Sequence, residues 1–345
     1  MALTRNYNIH NILTIQINTQ NKAKLPELNF PLSYFEVDED ITDPDIILNI
    51  GPFKPDLSGS YVVDHKYYIK DNYFHCSDTA NGKASWKLEI IGFERPPTII
   101  NFHGKIRGIY QLLAPDLLAQ DLALLPMIEL ALGLRGFMLL HAGGISKNKH
   151  AEIFVGRAGS RKTTIIMDSI KSGYRVLGDD RVILDLENYT VHSFPIFPKI
   201  FEFIVKYSKR ENLSLYHKIR LLYFLREETS IIPQIWENES VKLRSIFYLI
   251  FTNKELKNPT TNNKDALLLR MISNNIAELY TTVIPSILQR RAFPNYILAY
   301  SYIFPENNWI RLYNNILKTK IKQIIKTKRV HIGAVDNIQR TISTL

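Results

Sequence analysis

Glu152-Ile153-Phe154-Val155-Gly156-Arg157-Ala158-Gly159-Ser160-Arg161-Lys162-Thr163-Thr164 decides the reading of this chain, because a short apolar run empties into a glycine-bearing loop and then into a helical stretch. Residues 152–155 have the length and composition of a buried strand. Residues 165–172 are helical in character, and Gly173 stands where a C-capping glycine is expected. Strand, loop and helix in that order let backbone N–H groups and a helix N-terminus cradle a phosphate, with a lysine bridging phosphate oxygens and a hydroxyl reaching Mg²⁺. On that pattern Gly156, Arg157, Ala158, Gly159, Ser160, Arg161, Lys162, Thr163 and Thr164 are candidate nucleotide-binding residues, and Thr163 is also a candidate metal ligand. Arg161 departs from the pattern, which asks for glycine immediately before the lysine so that the backbone meets the phosphates without a Cβ in the way. The arginine either swings outward and adds a cation or fills the cradle.

Working outward, residues 137–140 form an apolar run that enters His141, and Lys147-Asn148-Lys149 signals a turn before the second strand. Residues 174–177 read as a third strand ending in Gly178-Asp179-Asp180, with another strand at 182–186. Two adjacent carboxylates at the end of a buried strand stand where a metal and an attacking hydroxyl meet; an Asp-Asp turn is the alternative. Residues 243–251 read as a further buried strand, and 213–226 as a core helix with Leu215, Ile219, Leu222 and Leu225 on one face.

His141, the loop 156–163, Asp179-Asp180 and the segment Ser193-Phe194-Pro195-Ile196-Phe197-Pro198-Lys199 recur in the same order and at similar spacing in the HPr kinase/phosphorylase family, which this chain resembles over residues 139–275. The resemblance implies an α/β (α+β, mixed-sheet) core of phosphoenolpyruvate-carboxykinase-like P-loop fold. It implies ATP- and Mg²⁺-dependent phosphoryl transfer to a serine-type hydroxyl on a peptide, a small protein or a small molecule. Within it Asp179 is the candidate base, His141 and Lys162 are the other catalytic candidates, and Asp180 joins Thr163 in holding Mg²⁺; the two carboxylates can exchange roles. Lys199 stands where relatives often carry a basic residue near the substrate. The family's signature for dephosphorylating its carrier protein is not found, so the resemblance points to a kinase relative, and it leaves a homo-oligomer open. Arg161 motivates the competing expectation of a nucleotide-binding or regulatory module with little or no kinase activity.

The 345 residues suffice for two domains, and 46% hydrophobic residues supply their cores. Over 1–108, short runs at 13–17, 61–63, 67–69, 86–91 and 98–102 are split by Asp, Asn, Gly and Pro, which reads as a small β-rich domain. Lacking family chemistry, it is the expected seat of acceptor recognition. Residues 109–135 read as connecting helices, with Pro115 and Pro126 placed to break or start turns, and 136–315 as the nucleotide-binding core. Residues 316–345 read as a basic amphipathic tail, a helix in which Lys318, Lys320, Lys322, Lys326, Lys328 and Arg329 sit among Ile316, Leu317, Ile321, Ile324 and Ile325.

The net charge of +10 invites a nucleic-acid partner, but the 18 tyrosines and 17 phenylalanines are scattered and form no stacking platform, which argues against one. His192 and His217 have no partners at ligand spacing and His331 lies in the basic tail, so core or surface roles are the expectation for all three. The single cysteine, Cys76, excludes an internal disulfide framework and a thiolate zinc site and points to a reducing, cytoplasmic setting. The first 21 residues fit neither a signal peptide nor an anchor. No segment reaches the roughly 18 apolar residues of a transmembrane helix.

Overall fold

A computed structural model describes residues 3–19, 32–80, 84–106, 119–156, 160–195, 201, 235–250, 271, 295–312 and 318–334. Large mixed sheets dominate an α/β architecture with few helices among these residues. Contacts divide the chain into two units, Met1–Arg135 with Ala277–Asn314, and Gly136–Ile276 with Asn315–Leu345.

In the first unit, β1 (Leu3–Ile9), β2 (Leu13–Thr19), β3 (Glu36–Val37), β4 (Ile46–Ile50), β5 (Tyr61–Val63), β6 (Tyr67–Lys70), β7 (Tyr73–Ala80), β8 (Ala84–Ile91) and β9 (Thr98–Ile106) form one sheet, ordered β3-β1-β2-β4-β9-β8-β7-β6-β5. β4 runs parallel to β2 and β9, and the other neighbours are antiparallel. Alternation chooses the faces: along β8, Trp86, Leu88 and Ile90 are buried, while Ser85 and Lys87 are exposed. A hydrogen-bonded line crosses the polar face, from Asn18 to Asn49 (3.0 Å), Asn49 to Asn101 (3.0 Å) and Asn101 to Glu89 (2.7 Å), each side-chain amide donating. The Tyr73 hydroxyl donates to the other Glu89 oxygen at 2.8 Å. The buried Glu89 carboxylate thus keeps two donors, the condition for burying such a group without a large penalty.

After a π-helical turn at Gln120–Leu124, α1 (Leu125–Leu134) begins with Pro126 in its first turn, where a missing N–H is tolerated. Residues 107–118 lie outside the described residues. The sequence groups residues 277–314 with the second domain, whereas their contacts assign them to the first unit. The reason is aromatic packing: Tyr300, on the helix Asn295–Ile303, and Trp309, on the helix Asn308–Arg311, lie 4.5 and 5.9 Å from Phe93 between ring centroids. The Tyr300 hydroxyl also accepts from the Asn72 N–H at 3.0 Å.

The second unit contains β10 (Phe137–Leu140), β11 (Gly143–Lys147), β12 (His150–Val155), α2 (Lys162–Lys171), β13 (Arg175–Gly178), β14 (Val182–Asp185), β15 (Thr190–Ser193), β16 (Val241–Ile250) and β17 (Arg329–Ala334). Their order is β10-β14-β15-β16-β12-β11-β13, with β17 beside β16. β16 is parallel to β12 and β17, and the other pairs are antiparallel. Asn148 and Lys149, at φ 52° and 62°, close the β11–β12 hairpin with the left-handed pair that suits strand twist.

The basic tail is not one helix. The helix Lys318–Thr327 buries Ile321, Ile324 and Ile325 and exposes Lys322 and Lys326, but it stops before Arg329, which opens β17. Val330 and Ile332 favour an extended chain, and β16 offers backbone groups along the rest of that edge. His192 lies edge-on to Phe137 and His331 stacks on Phe247, both packing roles. The expected helix at 213–226, His217 and residues 196–199 with Lys199 lie outside the described residues. Among the described residues, no helix is long and apolar enough to cross a membrane.

Candidate functional site

β12 delivers the chain to Gly156, and the next described residue is Ser160; Arg157, Ala158 and Gly159 lie outside the described residues. A Cβ on Gly156 would meet the Ser160 Oγ at 2.6 Å and the Leu249 Cβ at 3.2 Å, so Ser160 and Leu249 pack this closely on the strand end only because glycine stands there. Ser160 is 4% exposed, and its Oγ has no hydrogen-bond partner among the described residues.

Arg161 caps α2 in the left-handed conformation, φ 63° and ψ 27°, with its side chain exposed. A non-glycine residue in that conformation costs about 1–2 kcal/mol. The position therefore keeps a glycine-like backbone although arginine fills it. Lys162 opens the helix, is only 7% exposed, and donates from Nζ to the Gly156 carbonyl at 2.9 Å, closing the loop. A buried ammonium here sits at the positive end of the helix dipole, where two like-signed fields favour an anion.

The Thr163 hydroxyl favours the ionised form of the Asp179 carboxylate. Burial raises the Asp179 pKa above its ordinary value, with Asp180 adding to the rise and Thr163 and Lys162 opposing it. Asp179 Oδ1 is buried without a hydrogen-bond partner among the described residues. The two aspartates follow β13 through Gly178, where a Cβ would collide with the Arg181 carbonyl oxygen.

His141 follows β10, and its Nδ1 lies 3.4 Å from Asp180 Oδ1, with the histidine side chain 12% and the aspartate 51% exposed. β10 pairs with β14 in a register that sets Leu140 opposite Val182, so His141 arrives beside the aspartate turn that leads into β14. The Phe194 N–H donates to the Leu177 carbonyl at 2.7 Å, tying β13 to the chain just past β15.

The structure thus gathers Lys162, Thr163, Asp179, Asp180 and His141, while Thr164 is exposed on α2. It adds one residue that sequence reasoning missed. A Cβ on Gly143 would meet the Ile166 Cδ1 at 2.7 Å and the Asp179 carbonyl oxygen at 3.3 Å, so this glycine lets α2 and the aspartate turn approach β11. The Gly143-Gly144 pair just after His141 was the available signal.

No family model matches the chain, and no curated protein matches it.

The groups themselves then define the chemistry. A buried ammonium at a helix N-terminus and a buried hydroxyl without a partner among the described residues suit a phosphate chain. Among the described residues, no three His, Cys, Asp or Glu side chains gather as a metal cage. Thr163, Asp179 and Asp180 instead match the way Mg²⁺ is held, through one or two carboxylates, substrate phosphates and retained waters. The buried Asp179 Oδ1 supports that fit.

Proposed function

We propose that this chain is an ATP- and Mg²⁺-dependent phosphotransferase of the HPr kinase kind, on a phosphoenolpyruvate-carboxykinase-like core, acting on a serine-type hydroxyl of a peptide, small protein or small molecule. The observation that carries the reading is the buried Lys162 ammonium, bonded back to Gly156 at the start of α2. A buried lysine at that end of a helix is unfavourable unless an anion completes the site.

ATP supplies the phosphoryl group, and Mg²⁺ neutralises its charge. Lys162 and the first N–H groups of α2 bind the phosphate oxygens, and Thr163 and Asp180 would hold the metal. Asp179 accepts the proton of the acceptor hydroxyl on a carboxylate oxygen. His141 orients Asp180 through their 3.4 Å contact.

Calorimetric titration of the purified chain with ATP, with Mg²⁺ and with EDTA, tests the reading. Saturable, Mg²⁺-dependent binding is expected; its absence at millimolar ATP, about −4 kcal/mol, would overturn it. Arg161→Gly divides the working kinase from the regulatory module. With an exposed arginine at the N-cap of α2, MgATP affinity should fall about tenfold on its loss, the scale of one charge-assisted hydrogen bond. Thermal stability should hold, because relief of the left-handed strain offsets the added freedom of the unfolded chain. Tighter binding by the variant would favour the regulatory module, with Arg161 as its obstruction.

A further inference from the structure

The polar face of the first sheet carries a second group of chemistry-bearing side chains, independent of the proposed kinase site. Strand register sets Thr79, Ser85 and Lys105 side by side across β7, β8 and β9, and Ser77, Lys87 and His103 in the next row. These six residues, with Asp78 and Trp86, line an open cleft of about 500 Å³, within the usual range for small-molecule sites. All six except the half-buried His103 are exposed.

The charges in and around this cleft do not cancel. Asp78, its one carboxylate, is bound to Lys66 at 2.7 Å. Glu89, in the following row, is held by Tyr73 and Asn101. Among the described residues, no hydrogen bond or ion pair engages the ammonium of Lys87 or Lys105, so two cations and an imidazole face the opening with three hydroxyls between them.

The donor types choose the anion. Planar carboxylates are best met by the arginine fork, which this cleft lacks, whereas lysines act as point charges and hydroxyls donate from several directions. That set suits a tetrahedral group accepting on three oxygens. We infer that the cleft over β7, β8 and β9 binds the phosphate group of a small phosphorylated ligand.

Amide chemical shifts of the full-length chain, followed during titration with inorganic pyrophosphate and separately with citrate, test the assignment. Saturable shifts at Ser77, Lys87 and His103 are expected with pyrophosphate. The exposed double substitution Lys87→Gln/Lys105→Gln should weaken them at least about tenfold, as for one or two charge-assisted hydrogen bonds, while shifts around Lys162 persist. Absence of saturable shifts on β7 to β9, or parent-like affinity in the double variant, would overturn the site. Citrate binding there as tightly as pyrophosphate would overturn its assignment to phosphate.

Discussion

Lys162→Ala is expected to lower MgATP affinity by at least about a hundredfold, the effect of losing two hydrogen bonds to a charged phosphate chain at about 1.5–3 kcal/mol each. The fold should survive, because two effects on stability oppose each other. The Gly156 carbonyl loses the donor it holds at 2.9 Å, which costs about 1–3 kcal/mol. In return, a buried ammonium disappears from the positive end of α2. Lys162→Met separates charge from shape, since it keeps an unbranched stem in the same space. Calorimetry should show both variants equally impaired, with circular dichroism like that of the parent. Parent-like affinity in a folded Lys162→Met protein would remove the nucleotide reading altogether.

Asp179→Asn is expected to leave MgATP binding nearly intact while lowering the transfer rate at least about a hundredfold, the usual scale for a lost general base. Asparagine matches the carboxylate in size and shape, so the geometry of the turn is kept and the proton acceptor is not. Stability supplies an independent readout whose sign follows from the raised pKa. The unfolded chain releases this proton more readily than the folded one, so the parent loses stability as pH rises from the ordinary carboxylate value, about 4, into the raised range. The variant lacks that decline, and melting temperatures from about pH 4 to 7 would reveal the difference. A variant transferring phosphate at the parental rate would reduce Asp179 to a residue that shapes the turn.

Local patterns carried the strand–loop–helix unit: the apolar run of β12, the glycine of the loop and the cap at Gly173 all act within a few residues, and all lie where the sequence reads them. β11 escaped because Gly143 and Gly144 dilute its strand signal, yet those glycines exist for packing against Ile166, Val182 and Leu177. β1, β4 and β7 escaped for a related reason. Their polar positions, including Asn6, Asn49 and Ser77, face the hydrogen-bonded side of the sheet and break up the apolar pattern. β17 was hidden in a lysine-rich stretch whose fate depends on the open edge of β16. The meeting of His141 with Asp180 was not legible from spacing at all, since it depends on the pairing of β10 with β14, which sets Leu140 opposite Val182. Only the resemblance grouped them.

The return of Ala277–Asn314 to the first unit has a consequence for biosynthesis. Chains emerge from the ribosome N-terminus first, and domains generally fold as they appear. All nine strands of the first sheet leave before residue 107, but Phe93 gains Tyr300 and Trp309 only after the sheet-forming residues of β10 through β16 have also been made. The nascent first unit must therefore wait, with an aromatic surface uncovered, for most of the second to be translated, and a ribosome stalled between the two would hold a sheet that a holdase chaperone is suited to shield.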